Sequence, residues 1–188
     1  MTYLRWSFLT LLGVCALVLI VACGGSDDKS TQTPSATAKL TREEAERQAG
    51  FTFLIPTYLP AKVNPEPQYI VFGGKRGIDV RYSSAGDGKE AESPTIYVHE
   101  QNEGELIPNV SPVLETIKGT SVQVSEVSAG GPVPGATADV TGVWSQGELK
   151  LSVEVIWGLN STPVVLTDEM RTEARKVIES IISQQPSP

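Results

Sequence analysis

The sequence predicts an α+β fold: an antiparallel sheet of about five or six strands, with an N-terminal and a C-terminal helix packed on one face. Helix start signals occur near both ends of residues 40–184. Between them, short runs rich in Val, Ile, Tyr and Trp alternate apolar with polar residues, which is typical of half-buried strands. Glycine-containing segments separate several of these runs and predict hairpin turns, so neighbouring strands should be antiparallel.

The first helix is indicated by Thr41 and Glu44, whose spacing fits a capping box. Gly50 is the expected C-terminal stop, because glycine readily adopts the left-handed conformation that ends many helices. The next segment, residues 51–60, contains two prolines, which forbid a helix and argue against a central strand. We therefore expect a helix to about residue 49 and then an extended, largely buried apolar segment.

Four strand-like runs come after this segment, each rich in β-branched or aromatic residues. In the second run Ile78, Val80 and Tyr82 alternate with charged residues, the period of a strand with one buried face. The Gly-Gly-Lys-Arg-Gly stretch before it lacks the Walker spacing and does not open a helix, so it predicts a hairpin rather than a phosphate loop. The four runs are residues 68–72, 78–82, 95–100 and 121–127.

The sharpest local prediction is a C-terminal hairpin that turns at Gln146-Gly147, where glycine supplies a positive φ. That turn places apolar or small residues on one face and polar residues on the other, so the pattern itself specifies the register. Only Val143 and Ile156 break the pattern. The predicted pairs are Trp144–Leu149, Gly142–Leu151, Val140–Val153, Ala138–Val155 and Ala136–Trp157.

A second helix is predicted at the C-terminal end, with Thr167 as N-cap. Acidic residues come immediately afterwards at Asp168 and Glu169, where the helix dipole favours them. Apolar residues then recur at helical spacing, which predicts an amphipathic helix with one buried face. These residues are Met170, Ala174, Val177, Ile178 and Ile181.

The N-terminal region predicts export. Arg5 precedes an uncharged apolar run over residues 8–21, the arrangement of a secretory signal. This run is shorter than the roughly 20 residues that a membrane-spanning helix needs.

The apolar run ends Ile20-Val21-Ala22-Cys23, which resembles the bacterial lipobox. The resemblance implies that Ile20, Val21 and Ala22 are recognised by the lipoprotein signal peptidase, and that the Cys23 thiol carries diacylglycerol with acyl chains such as palmitate. A signal peptide cleaved without lipidation is the alternative.

These signals divide the chain into four segments. We expect a lipoprotein signal peptide over residues 1–22 and a lipidated cysteine with a flexible tether over 23–39. The α+β domain would cover 40–184 and a short tail 185–188. The tether contains no aromatic or large aliphatic residue after Cys23, so it cannot bury enough surface to fold.

Charge and cysteine content limit the kinds of binding partner that this chain suits. The chain carries a formal net charge of −7, and loss of the leader removes one further basic residue, Arg5. An acidic protein is unsuited to non-specific nucleic-acid binding and to adhesion on anionic headgroups. Membrane attachment is therefore expected through lipid on Cys23, on the extracytoplasmic face of the cell membrane, or on the outer membrane in a cell that has one.

Catalytic chemistry is not expected, and neither is a metal site or a cofactor. His99 is the one histidine, and beyond Cys23 there is no other cysteine outside the leader, so a zinc site of several His or Cys ligands is excluded. His99 alternates with Ile96 and Val98 and should lie solvated on the polar face of its strand. A hydrolase would need a nucleophile and a carboxylate beside His99; Ser93 and Glu100 lie near it in sequence without a recognised motif.

Trp144 and Trp157 have two interpretations. They could line a ligand groove, or they could belong to the core together with the aliphatic residues on the same face of the hairpin. The Gly- and Pro-rich stretch 130–135 would be a candidate rim for such a groove.

Several segments together resemble a domain of unknown function that recurs in bacterial lipoproteins and in extracytoplasmic parts of some anti-sigma regulators. The resemblance rests on A-E-R-Q-A-G-F-x-F-x-x-P-x-Y-L-P (residues 45–60), the strand ending at Tyr82, V-W-S-Q-G-E-L (143–149) and I-E-S-I (178–181). It implies a fold distantly similar to the half-barrel of lipoprotein carriers, and no catalytic residue.

The expected function is a non-enzymatic binding or scaffolding module at the cell envelope, with an envelope protein or an apolar ligand as its partner. One alternative is an envelope sensor that works with a membrane partner. The other is a carrier of lipid or another apolar ligand.

Overall fold

The computed structural model describes residues 39–72, 77–84, 93–102, 104, 106, 111–128, 137–158 and 163–184. The expected signal peptide, Cys23, nearly all of the tether, the 130–135 stretch and the tail lie outside the described residues. Within the described ranges, no helix combines the length and the hydropathy that crossing a bilayer requires.

All seven strands of the described chain belong to one antiparallel sheet, in the order β1-β2-β3-β7-β6-β5-β4. Together with two helices this confirms the α+β class, whereas the predicted number of strands was too low. The elements are α1 (Arg42–Ala49), β1 (Gln68–Phe72), β2 (Gly77–Tyr82), β3 (Thr95–Gln101), β4 (Val113–Ile117), β5 (Thr120–Val127), β6 (Ala138–Gln146), β7 (Leu149–Trp157) and α2 (Asp168–Ile182).

Strand β4 is the one that the sequence pattern missed. It lies at an edge of the sheet and pairs with β5. Its consecutive residues Val113 and Leu114 point to opposite faces and are 66% and 69% exposed. Because the residues of β4 are exposed or only partly buried, no alternation of apolar and polar residues marks it as a strand.

The first helix begins and ends where its capping residues predict. The Thr41 hydroxyl accepts a hydrogen bond from the Glu44 backbone N–H, and the Glu44 carboxylate accepts one from the Thr41 N–H. Gly50 ends α1 in the left-handed conformation, with φ of 80°. Ala45 and Ala49 form its buried face, and their small side chains allow α1 to lie close to its neighbours.

The second helix starts after Thr167, whose side chain accepts a hydrogen bond from the Met170 N–H. Its predicted apolar stripe is buried except for Met170, which is partly buried. Ile178 of this stripe lies directly against Gly142 of β6, where a Cβ atom would be only 2.8 Å from Ile178 Cδ1. Gly142 therefore permits the close approach of α2 to the sheet.

The C-terminal hairpin was predicted on the correct strands but in the wrong register. The loop is Gly147-Glu148, so Gln146 pairs with Leu149 and Trp144 with Leu151. Gly147 takes the positive φ of 60° as the first loop residue instead of the second. The register is displaced by two residues, and because side chains alternate with period two, the same residues still share a face.

The sheet has two chemically different faces. The core face carries the fully buried residues Val80, Val98, Val140 and Val153. The opposite face, which we call the open face, carries polar side chains that align in rows across the strands, and several of them, including Ser125, Thr141 and Asp139, are buried. One such row runs Arg81, Tyr97, Glu154, Thr141 and Ser125.

Candidate functional site

A surface cavity of about 550 Å³ lies beside the first turns of α2, and we call it the α2 groove. Its apolar walls come from distant parts of the chain: Tyr58 and Pro60 from the segment 51–60, Trp157 from the end of β7, and Met170 from α2. The size of this cavity lies within the range of small-molecule sites, and its walls combine apolar side chains with polar and charged ones.

Polar groups of the α2 groove lie mainly along its helix side. Tyr58 donates a hydrogen bond from its hydroxyl to the Glu173 carboxylate, and Lys176 donates to the other Glu173 oxygen at 2.9 Å. Burial acts against ionisation of Glu173, but the bonds from Tyr58 and Lys176 prevail and lower its pKa. Glu173 is thus held as a paired carboxylate, while Glu169 on the rim is exposed.

Segment 51–60 reaches the groove because neighbouring elements hold its backbone. Arg42 of α1 donates to the Phe53 carbonyl at 3.1 Å, and Gln184 donates to the Ile55 carbonyl at 2.7 Å. Between these contacts the Leu54 N–H donates to Glu100 Oε1 at 2.7 Å. These bonds fix an irregular backbone that has no strand partner of its own over residues 51–60.

Glu100 is the least expected residue of this region. It lies on the core face of β3 between Ile78 and Leu151, with no exposed surface. Burial raises the pKa of its carboxyl to about 7. The sequence signal was present, since Glu100 continues the alternation of Ile96 and Val98 on one face of the strand.

Both tryptophans singled out by the sequence are core residues: Trp144 is 3% exposed and Trp157 is 4% exposed. Trp157 also lines the α2 groove. Trp144 borders a separate cavity of about 380 Å³, together with Leu106, Leu114 and Lys150. The structure therefore places the two tryptophans at different cavities, not in one groove.

His99 lies on the face opposite Ile96 and Val98, as predicted, and its side chain is only partly solvated, with 25% of its surface exposed. Its Nδ1 is hydrogen-bonded to Asp79 and its Nε2 lies 3.0 Å from Gln101 Oε1. The bond to Asp79 raises the pKa of His99.

The two sequence neighbours considered as partners of His99 lie elsewhere. Glu100 points to the core face, and the Ser93 hydroxyl donates to the Lys62 carbonyl. The structure does not bring these three residues together as a catalytic group.

Two more carboxylates lie on the open face. Burial raises the pKa of Asp139 to about 6, although the hydrogen bond that Thr141 donates to it at 3.3 Å acts to lower this pKa. Burial also raises the pKa of Glu154, and the charges of Asp139 and Asp79 add to this. Across the described ranges, no three His, Cys, Asp or Glu side chains are grouped so that they could hold a metal ion.

Comparisons with protein-family models, with curated proteins and with solved structures found no match in any of the three.

Proposed function

We propose that this chain is a lipid-anchored protein of the cell envelope that acts as a non-enzymatic binding module, with the α2 groove as its binding surface. The observation that carries the proposal is the cavity of about 550 Å³ walled by Tyr58, Pro60, Trp157 and Met170. Such a surface fits an extended apolar segment of a protein partner, because proline and aromatic walls bury apolar side chains without needing matched charges.

The anchor is supported by the sequence Ile20-Val21-Ala22-Cys23. Two acyl chains would hold the protein firmly, since each buried CH₂ contributes about 0.8 kcal/mol. If residues 24–39 form a random coil, as their composition predicts, they would span on the order of 20–25 Å. The folded domain would therefore work close to the membrane surface, within reach of other envelope proteins.

A carrier of lipid beneath the sheet fits less well than a surface binder. We take both helices to cover the core face: Ile178 of α2 contacts Gly142, and Ala45 and Ala49 of α1 belong to the same buried cluster. That space is filled by fully buried side chains such as Leu151 and Ile181. A ligand would accordingly bind in the groove at the surface.

A sensor that works with a membrane partner is compatible with the same surface, because it too would need a docking site for a protein. The resemblance to domains found in anti-sigma regulators favours this alternative. The residues that carry the resemblance shape the fold and do not identify a signalling site. A sensor would pass a signal to its partner after binding, whereas a scaffold would only hold it, and both would use the same docking surface.

Site-specific photo-crosslinking in living cells tests the proposal. A photoreactive residue at Ala61, exposed on the groove, should give a discrete adduct in the membrane fraction. The same residue at Arg47, exposed on α1, is the matched control and should give none. Met170→Arg should remove the adduct by filling the groove. Equal adducts from both positions, or none from Ala61, would rule out the groove as the binding surface.

A further inference from the structure

We propose that Glu100 is a proton-controlled latch that holds segment 51–60 against the sheet and thereby sets the shape of the α2 groove. The biological role of the latch rests on the proposed function of the groove. The latch itself is a property of the fold and can be measured without any ligand.

The geometry around Glu100 suits a neutral carboxylic acid better than a carboxylate. Oε1 accepts the Leu54 N–H at 2.7 Å, while Oε2 is buried with no hydrogen-bond partner among the described residues. An ionised carboxylate has two oxygens that need donors, and the described residues supply only one donor, the Leu54 N–H. Deprotonation would therefore place an incompletely paired charge in the core.

The groups packed around Glu100 do not remove this conflict. The adjacent strands present Ile78 from β2 and Leu151 from β7, which are apolar. The hydrogen bond from the Leu54 N–H, Arg42 of α1 and His99 of β3 all favour the ionised form, the Leu54 bond most strongly. Arg42 is also bonded to Glu46 and to the Phe53 carbonyl, and the His99 side chain lies on the open face, paired with Asp79. Burial outweighs all three and raises the pKa of Glu100 to about 7.

Segment 51–60 is the part of the surroundings of Glu100 that can move when Glu100 ionises. Strands β2, β3 and β7 are central in the sheet and hydrogen-bonded on both sides. Residues 51–60 contribute to no strand, and in the described chain the Leu54 N–H is bonded to Glu100. Opening of this segment would admit water to the carboxylate. The same segment carries Tyr58 and Pro60, so its movement would change two walls of the α2 groove.

The pKa of Glu100 sets the sign of the effect. In the closed segment this pKa is raised from 4.5 to about 7, so the latch holds fully below pH 4.5 and weakens as pH rises towards 7. Above that pH the population of the open segment reaches a plateau. Between pH 5.5 and 8.5 the opening equilibrium should increase about 30-fold.

Hydrogen exchange of the chain purified in detergent measures this directly, after correction for the intrinsic pH dependence of exchange. Protection of the Leu54 amide should fall about 30-fold between pH 5.5 and 8.5. In Glu100→Gln, which keeps the acceptor and cannot ionise, the fall should be less than about 3-fold. Glu154→Gln, which removes a half-buried carboxyl from the open face, should respond like the wild type.

An unchanged pH response in Glu100→Gln would overturn the latch, and so would pH-independent protection of Leu54 in the wild type. The wild-type measurement decides the matter alone if Glu100→Gln does not fold. Failure of the Ala61 crosslink would reject the groove as a binding surface and leave the exchange result standing. The two proposals can therefore fail separately.

Discussion

The side chain of Ile178 occupies the space that a Cβ on Gly142 would need, at a distance of only 2.8 Å from Ile178 Cδ1. This contact sets how closely α2 approaches the sheet at β6. Gly142→Ala should therefore destabilise the domain by about 1–2 kcal/mol, because the interior tolerates extra volume poorly. Urea denaturation monitored by circular dichroism would measure the free energy of unfolding.

Ile178→Val offers the matched test of this contact. It removes the Cδ1 atom that lies nearest to the added methyl group. The double variant Gly142→Ala/Ile178→Val should be less destabilised than the sum of the two single variants. Simple additivity would show that Ile178 does not set the constraint on Gly142.

Arg175 ties the edge strand β4 to α2. Its Nε and Nη2 donate to the two Glu115 oxygens at 3.1 and 2.6 Å, and Nη2 also lies 3.0 Å from Glu126 Oε1. About one third of each of these side chains is exposed, so we expect Arg175→Met to cost only about 1 kcal/mol in global stability. In Arg175→Met, hydrogen exchange should increase over the wild-type rate much more in β4 than in β6. Arg47→Met, on the exposed side of α1, is the control, and equal exchange in the two variants would contradict this role for Arg175.

Asp139 should make the domain more stable at mildly acidic pH. Burial raises its pKa from 3.8 to about 6, so its contribution is complete below pH 3.8 and is lost as pH rises through 6. Asp139→Asn can still accept the Thr141 hydrogen bond but does not ionise. Between pH 5 and pH 8 the wild-type Tm should fall more than that of Asp139→Asn, by differential scanning calorimetry. A parallel fall in both proteins would exclude Asp139 as a contributor.

Features with local causes were predictable from sequence. The caps of α1 depend on Thr41, Glu44 and Gly50, which lie within ten residues of one another. The local sequence is therefore enough to predict where α1 begins and ends. The hairpin register was less secure because Gly147 can supply a positive φ at either loop position. A pattern of period two cannot distinguish registers that differ by two residues.

The candidate site was not predictable in the same way because its parts are distant in sequence. Tyr58, Trp157 and Met170 meet only after the sheet and α2 have assembled. The burial of Glu100 also depends on tertiary structure, since segment 51–60 supplies its hydrogen-bond donor. Strand β4 escaped prediction for the opposite reason: its exposed edge imposes no burial pattern on its sequence.

Membrane attachment through Cys23 is the central claim, and the fate of a Cys23→Ala protein tests it most directly. Cells expressing the wild type or Cys23→Ala would be labelled with an alkyne analogue of palmitate and fractionated into membrane and soluble pools. We expect the wild type to carry the label and to associate with the membrane fraction. We expect Cys23→Ala to carry no label, so that hydrolysis releases no acyl chains from it. The Cys23→Ala domain should keep the wild-type Tm. Labelled Cys23→Ala protein that remains in the membrane fraction would contradict the account.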